Sequence, residues 1–138
     1  MTTSPMDLLA EADRGAANAY CPYSKFQVGA ALLTKQGEVF RGCNVENVSF
    51  GLTNCAERTA IYTAVAMGQR EFTAIAIVQG AGQPGAEQPC WPCGACRQVL
   101  AEFNPDMDVI FREGTGYRVT KLRELLPHSF DVHRLQAQ

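Results

Sequence analysis

The sequence is organised around two short segments, NCAER at residues 54–58 and PCGACR at residues 92–97. Together they supply three thiols and one carboxylate, from Cys55, Cys93, Cys96 and Glu57. A C-x-x-C pair at the start of a helix can place two sulfurs on one zinc ion, and a third thiolate leaves one tetrahedral position for a reactant. That open position distinguishes a catalytic zinc site from a structural one. The two segments therefore predict a catalytic zinc centre, with Glu57 facing the metal without binding it.

A second C-x-x-C overlaps the first, because Cys90 begins the segment CWPC at residues 90–93. Cys90 is therefore a candidate fourth ligand, and four thiolates would make a closed structural site. Pro92 restricts the chain just before the main motif and should turn Cys90 away, so we favour three ligands. A structural zinc or ordinary buried thiols remain alternatives. Small, partly buried thiols are the preferred interpretation for Cys21, Cys43 and Cys90.

Length and composition predict one compact domain over residues 1–138, since 46% of the residues are hydrophobic and no repeat or low-complexity linker interrupts the chain. The formal net charge is -2 and no dense basic run occurs, which argues against a nucleic-acid partner. The first residues do not have the pattern of a secretory signal, and no apolar run is long enough to cross a bilayer. We therefore expect a cytoplasmic protein in a reducing compartment, with no membrane partner.

Hydrophobic periodicity and turn signals predict an alternation of helices and strands. The predicted elements are a helix over 3–19, a hairpin of strands 26–34 and 38–43, a helix over 54–67, a strand over 72–78, a helix over 93–103, strands over 107–112 and 117–120, and a short helix before Pro127. Ser4 is the expected N-cap of the first helix, followed by Pro5. This order predicts an α/β domain with helices packed on a mixed sheet, but it does not predict the strand order.

Five blocks of the sequence together resemble the small zinc-dependent cytidine deaminases. The blocks are PYSKF at 22–26, NVEN at 44–47, TNCAERTA at 53–60, PCGACRQV at 92–99 and LLP at 125–127. They span nearly the whole chain, and their order and spacing agree with the family. The resemblance implies a three-layer α/β/α sandwich with a five-stranded mixed sheet and one Zn²⁺ per subunit. It also implies a homotetramer whose active sites lie near the subunit interfaces.

The reaction that the resemblance implies is hydrolysis of cytidine and 2′-deoxycytidine to uridine and 2′-deoxyuridine with release of ammonia, a step of pyrimidine salvage. Zinc suits this chemistry because it lowers the pKa of bound water from about 15.7 to roughly 7, which supplies a hydroxide to attack C4. Glu57 is the predicted acid and base. It would take the water's proton, protonate the ring nitrogen and pass a proton to the departing ammonia.

Three thiolates leave the zinc centre with net negative charge, which opposes formation of a hydroxide on the metal. Two features of the sequence offset this charge. Both cysteine segments begin predicted helices, where the helix dipole is positive. Arg58 and Arg97 each follow a cysteine ligand and could donate hydrogen bonds to the sulfurs. We expect Arg58 to be the main partner of the sulfurs, because the family pattern also has an arginine at that position.

The resemblance assigns the sugar to Asn44 and Glu46, which lie in a polar loop after a predicted strand. An amide and a carboxylate are suited to pair with ribose hydroxyls, and the charge of Glu46 would repel a 5′-phosphate. A nucleoside is therefore favoured over a nucleotide as the substrate. The alternative for these two residues is an ordinary loop cap without a ligand.

The resemblance points to four further substrate-binding positions. The ring of Phe26 would pack on the pyrimidine, although core packing at the start of a strand is the alternative. The backbone of Ala56 would bind the carbonyl oxygen of the base. Phe50 stands where many relatives have tyrosine, so any contact from that hydroxyl is missing. Phe130 lies in a region that reaches the active site of a neighbouring subunit in this family.

Three rival functions follow from the same residues. One is deamination of a cytosine-containing antibiotic nucleoside, which Asn44 and Glu46 disfavour because they suit free ribose hydroxyls. Another is a zinc-binding module without catalysis, in which Glu57 would have no role. The third is editing of RNA or DNA, which the acidic balance of charge disfavours. The two histidines of the tail, His128 and His133, are assigned no role.

Overall fold

A computed structural model describes residues 3–136 of the chain and contains helices on both faces of one sheet. The elements are α1 (Pro5–Ala16), β1 (Val28–Thr34), β2 (Val39–Cys43), α2 (Ala56–Ala66), β3 (Phe72–Gln79), α3 (Gly94–Phe103), β4 (Asp108–Glu113), β5 (Gly116–Lys121), α4 (Leu122–Leu125) and α5 (Val132–Gln136), with a 3₁₀ turn at Phe50–Leu52. Every predicted element is present. Helix α5 lies in the tail and was not predicted, because no hydrophobic pattern marks it.

The sheet has five strands in the order β2-β1-β3-β4-β5. Strands β1 and β2 form the predicted antiparallel hairpin, and β1 also pairs antiparallel with β3. Strand β3 pairs parallel with β4, and β5 returns antiparallel along β4. The sheet is therefore mixed. Its single parallel pair joins β3 to β4 through a crossover that contains α3.

Successive residues of the central strands alternate between two apolar layers. One layer contacts α2 and α3 and includes Ala30, Leu32, Ile75, Ile77, Val109 and Phe111. The other contacts α1 and includes Ala31, Ala74, Ala76, Val78 and Ile110. Strand β3 is accordingly buried along most of its length on both faces. The predicted three-layer α/β/α sandwich with a five-stranded mixed sheet is confirmed.

Two glycines allow the helices to approach the sheet closely. A Cβ atom at Gly29 would lie 2.0 Å from the carbonyl oxygen of Ala12 in α1. A Cβ atom at Gly42 would lie 2.2 Å from the carbonyl oxygen of Ala56, at the start of α2. Both distances are far shorter than a carbon and an oxygen tolerate. Gly42 therefore fixes where α2 begins relative to the sheet.

The first helix ends three residues earlier than predicted. Ser4 caps it as expected, since its hydroxyl accepts from the N–H of Asp7 at 3.1 Å. After Ala16 the chain turns, and Tyr20 forms an isolated parallel bridge with Val45. The backbone hydrogen bonds of Tyr20 thus go to the loop after β2 instead of continuing the helix. This pairing brings the segment around residues 20–26 beside the loop that carries the predicted sugar ligands.

Candidate active site

The cysteines lie at the starts of two helices on the same face of the sheet. Cys55 is the N-cap of α2 and Cys93 is the N-cap of α3, whereas we predicted both inside the first helical turn. Both have extended backbone, with φ and ψ of -77° and 157° at Cys55 and -66° and 167° at Cys93. Cys96 lies within the first turn of α3 and is fully buried. The two N-termini therefore bring the three sulfurs together.

The spacing of the sulfurs suits one zinc ion. The Sγ atoms of Cys55 and Cys93 are 3.8 Å apart, and those of Cys93 and Cys96 are 3.3 Å apart. All three lie within 4.8 Å of one another. Tetrahedral ligation with Zn–S bonds of about 2.3 Å would place ligand sulfurs about 3.8 Å apart. The three cysteines thus form a cluster positioned to hold one zinc.

Cys90 is not part of this cluster. It is half-buried and packs against the apolar layer that contacts α2 and α3. Burial raises the pKa of its thiol to about 11. Its sulfur is also not among the three that lie within 4.8 Å of one another. The cluster in the described part of the chain therefore has three cysteines and not four.

Arg58 contacts the cluster directly. Its Nη2 atom donates to the Cys55 sulfur at 3.3 Å. The Cys96 thiol and the Arg58 guanidinium both stabilise a thiolate at Cys55 and hold its pKa well below 9.0. Arg97 instead donates to the carbonyl oxygens of Pro92 at 2.9 Å and Leu125 at 2.8 Å. Arg97 therefore ties α3 to the C-terminal segment, and Arg58 is the arginine that lies against the sulfurs.

Glu57 is buried in the first turn of α2, two residues after the Cys55 ligand position. Only 4% of its surface is exposed, and it lines the same cavity as Cys55 and Cys93. Burial raises the pKa of the Glu57 carboxyl above its ordinary 4.5. Among residues 3–136 no basic side chain forms a salt bridge with Glu57. A buried carboxyl in that state is costly for stability, so its presence beside three thiols indicates a chemical role.

Two of the three clustered cysteines, Cys55 and Cys93, line a cavity of about 430 Å³ together with Glu57. Its lining residues are Ser24, Phe26, Val28, Asn44, Glu46, Thr53, Asn54, Cys55, Ala56, Glu57, Cys90, Trp91 and Cys93. The volume lies in the range of small-molecule sites in proteins. The structure thus brings four of the predicted substrate contacts into the cavity with the metal cluster, namely Phe26, Asn44, Glu46 and Ala56.

The two predicted sugar ligands are held by hydrogen bonds to the backbone. Asn44 is 8% exposed, its Oδ1 accepts from Val28 N–H at 2.9 Å, and its Nδ2 donates to Phe26 O at 2.7 Å. The carboxylate of Glu46 accepts from the N–H groups of Tyr23 at 3.0 Å and Ser24 at 3.1 Å. Both side chains therefore cap loop backbone, as the alternative interpretation expects, and both residues also line the cavity.

Two predicted substrate contacts lie outside this cavity. Phe50 is 73% exposed and lines a neighbouring hollow, where its ring meets Tyr23 edge-on at 5.8 Å between centroids. Phe130 is 61% exposed and lines a hollow beside the C-terminal segment. The contact that we predicted for Phe130 is with a neighbouring subunit, so it stays a prediction. His128 and His133 are exposed.

Several lining residues were not predicted from the sequence. Trp91 lines the cavity, and its ring packs on Phe111 of β4 at 4.6 Å and lies under the guanidinium of Arg118 at 5.4 Å. Ser24 lines the cavity through the turn that precedes β1. The only signal for Trp91 was its place beside the C-x-x-C motif. Ser24 belongs to the PYSKF block but carries no chemical signature of its own.

Fold and site together define a zinc-binding deaminase, and comparison with known proteins gives the same class. The profile of the cytidine and deoxycytidylate deaminase zinc-binding region matches residues 3–113. The chain therefore belongs to this family. In the described part of the chain, no helix is both long enough and apolar enough to span a bilayer.

Individual relatives resemble the chain over most of its length. A cytidine deaminase of Sporosarcina psychrophila is 48% identical over 130 residues, which cover 93% of this chain and 92% of that protein. A crystal structure of cytidine deaminase from Burkholderia pseudomallei is 48% identical, has a TM-score of 0.82, and matches 92% of this chain and 99% of its own. A blasticidin-S deaminase of Bacillus cereus is 33% identical over 107 residues, or 75% of this chain and 76% of its own.

Proposed function

We propose that the chain hydrolyses cytidine and 2′-deoxycytidine to uridine and 2′-deoxyuridine, releasing ammonia. One observation carries the proposal: the buried carboxyl of Glu57 shares a cavity with the three-cysteine cluster. The cytidine deaminases that are 48% identical over most of the chain support the same substrate. The same cavity is lined by a carboxylate and an amide, at Glu46 and Asn44, which suit the hydroxyls of a nucleoside.

The chemistry separates into what zinc supplies and what the chain's own residues do. Zinc held by Cys55, Cys93 and Cys96 would act as a Lewis acid that makes water nucleophilic at neutral pH. Glu57 accepts the proton of the attacking water and delivers it to N3 of the cytosine ring. Glu57 then takes the proton of the hydroxyl that the attack leaves on C4 and delivers it to the amino group, so that the C4 carbonyl forms as the C4–N bond breaks and ammonia leaves. Burial of Glu57 keeps bulk water from competing for these protons.

The remaining residues orient the substrate along the cavity. Phe26, which is 44% exposed, offers its ring to the pyrimidine. The backbone of Ala56 stands at the start of α2, where unpaired N–H groups suit the carbonyl oxygen of the base. Asn44 and Glu46, which line the same cavity, bind the sugar hydroxyls. Arg58 stabilises the Cys55 thiolate and so offsets the negative charge of the cluster.

We also infer that the protein works as a homotetramer with active sites near subunit interfaces. The 3₁₀ turn and its flanks expose three apolar side chains, with Val48 at 76%, Phe50 at 73% and Leu52 at 71%. Clustered apolar side chains of this size favour a protein partner. A second subunit covering them would bring its own residues to the mouth of the cavity, which is the role we predicted for Phe130. Six free thiols favour a reducing compartment such as the cytoplasm.

The direct test is ammonia release from cytidine by the purified protein, with Glu57→Ala measured beside it. We expect the variant to keep its zinc and to lose about 10²–10⁴-fold in kcat, because the proton transfers lose their acid and base. Glu71→Ala, at an exposed glutamate, is the matched control and should keep full activity.

Retained turnover in Glu57→Ala would contradict the proposed role of Glu57 as the proton shuttle. Absence of turnover in folded, zinc-loaded wild-type protein would reject cytidine as the substrate. Modified cytosine nucleosides of the kind that a blasticidin-S deaminase accepts would then be the next compounds to assay.

A further inference from the structure

The turn before β1 connects two of the proposed substrate contacts through one hydroxyl. Ser24 Oγ hydrogen-bonds to Oε2 of Glu46, and the backbone N–H of Ser24 donates to Oε1 of the same carboxylate at 3.1 Å. The N–H of Phe26 donates to Ser24 Oγ at 3.0 Å. Ser24 also lines the cavity beside both of these residues. The mechanism described above does not use Ser24.

The donors and acceptors around Ser24 fix the direction of this chain of bonds. A carboxylate only accepts, so the single proton of the Ser24 hydroxyl points at Glu46. A lone pair of the same oxygen then accepts the N–H of Phe26. Oε1 of Glu46 is occupied by the two backbone N–H groups of residues 23 and 24, so Oε2 is the oxygen with acceptor capacity left for a ligand. The serine hydroxyl therefore holds the carboxylate oxygen that can still accept a hydrogen bond from a ligand.

The backbone next to Ser24 is strained, and the strain is held by contacts at both of its ends. Lys25 has φ of 62° and is the only non-glycine residue with positive φ between residues 3 and 136. Its N–H donates to Cys21 O at 3.0 Å, and its carbonyl accepts from Gln83 Nε2 at 3.2 Å. Strained residues of this kind persist where neighbouring contacts over-determine them, often at ligand clamps.

We propose that Ser24 is a positioning residue for sugar recognition, which sets Glu46 Oε2 in place before the nucleoside binds. This inference rests on the proposed function, because Glu46 is taken as a sugar ligand. Preorganisation lowers the cost of ordering the carboxylate on binding. Loss of the serine hydroxyl should therefore weaken the binding of nucleosides whose sugar carries ring hydroxyls. The binding of nucleosides without ring hydroxyls should stay almost unchanged. A serine that only stabilised the fold would affect both nucleosides alike.

The experiment compares Ser24→Val with Ser24→Thr, which have the same shape and differ in the hydroxyl. Each is assayed for KM and kcat with cytidine and with 2′,3′-dideoxycytidine, whose sugar lacks both ring hydroxyls. We expect Ser24→Val to raise KM for cytidine about tenfold, the size of a lost hydrogen bond to a charged group, with kcat little changed. Ser24→Thr, which keeps a hydroxyl, should have a KM for cytidine close to that of the wild type. Thr115→Val, which removes an exposed hydroxyl in the turn between β4 and β5, is the control and should behave as wild type.

The difference between the two nucleosides decides the outcome. A KM increase confined to cytidine supports the proposal, and an equal increase for both nucleosides, or none for cytidine, overturns it. Ser24→Ala, checked for zinc content and thermal unfolding, gives the same comparison if Ser24→Val does not fold. Glu46→Gln tests the proposed sugar site separately from the proposed role of Ser24. If Glu46→Gln leaves cytidine unaffected, the proposed sugar site fails, whereas an effect of Glu46→Gln without one of Ser24→Val rejects only the role of Ser24.

Discussion

The two faces of the sheet are built alike, but only one of them carries chemistry. Each face packs a helix against a glycine of the β1–β2 hairpin, with α1 on Gly29 and α2 on Gly42. Each buries an apolar layer drawn from alternate residues of the same strands. The faces differ at the helix N-termini. Helix α1 begins with a complete capping box, in which Ser4 and Asp7 satisfy each other's backbone N–H groups.

The helices of the other face begin with cysteines instead. The Cys55 side chain makes no capping bond, and the Cys93 sulfur caps α3 by accepting from Cys96 N–H. The N-termini of α2 and α3 therefore leave sulfurs and N–H groups available in the cavity, where the positive ends of both helices also favour thiolates. One face uses its helix start for stability, and the other uses two helix starts for a metal site.

The largest expected effect comes from removing a sulfur from the cysteine face. Cys96→Ala should lose the zinc and all measurable turnover, because two thiolates leave the ion without its third protein ligand. The loss of zinc affinity should exceed the roughly 10–100-fold typical of residues that only contact a ligand. Metal analysis of the purified variant, with the ammonia assay, measures both.

Cys90→Ala is the matched control, because Cys90 also lines the cavity but lies outside the cluster. It should keep one zinc per chain. The three-cysteine assignment would be contradicted if Cys90→Ala lost its zinc while Cys96→Ala kept it.

Substitution of the two glycines tests whether both faces of the sheet depend on close approach of a helix. Gly29→Ala and Gly42→Ala should each destabilise the protein by about 3 kcal/mol, since each new Cβ would overlap a helix carbonyl. Only Gly42→Ala should also weaken zinc binding, because the displaced carbonyl belongs to Ala56, beside Cys55 and Glu57. Chemical denaturation and zinc titration measure the two effects.

Gly116→Ala is the control for this pair, because its new Cβ would have no neighbour nearer than 3.9 Å. Equal losses of zinc affinity in Gly29→Ala and Gly42→Ala would mean that the site does not depend on where α2 begins.

The smallest expected effect lies at the capping box of α1. Ser4→Ala should cost about 1 kcal/mol of stability, because the N–H of Asp7 loses its acceptor. Turnover and zinc content should stay at wild-type values, since α1 lies on the face away from the cavity. Denaturation and the ammonia assay check the two parts. A reduced kcat in Ser4→Ala would show that the faces are coupled.

Much of this arrangement could be predicted from the sequence because it depends on short segments. The cysteine motifs, Glu57 and the capping Ser4 are local patterns, and their chemistry does not require knowledge of the whole fold. The β1–β2 hairpin was predicted for the same reason. The starts of the helices differ slightly from the prediction, since Cys55 and Cys93 are N-caps and the prediction placed both inside the first helical turn.

The rest depends on pairings between distant segments. The parallel β3–β4 pair and the strand order follow from packing that periodicity does not record. Trp91 lines the cavity because Phe111 and Arg118 hold its ring, and both lie at least twenty residues away. The role proposed for Ser24 depends on Glu46, which reaches it only because Tyr20 pairs with Val45. None of these contacts has a signature within one segment.

The most direct test of the central claim is ammonia release from cytidine measured against zinc content in the same preparation. Zinc is removed with a chelator and returned in steps, while folding is followed by circular dichroism. We predict that the rate of ammonia release rises in proportion to bound zinc and stops rising at one zinc per chain. Full activity in zinc-free protein, or one bound zinc per folded chain with no turnover of cytidine, would contradict it.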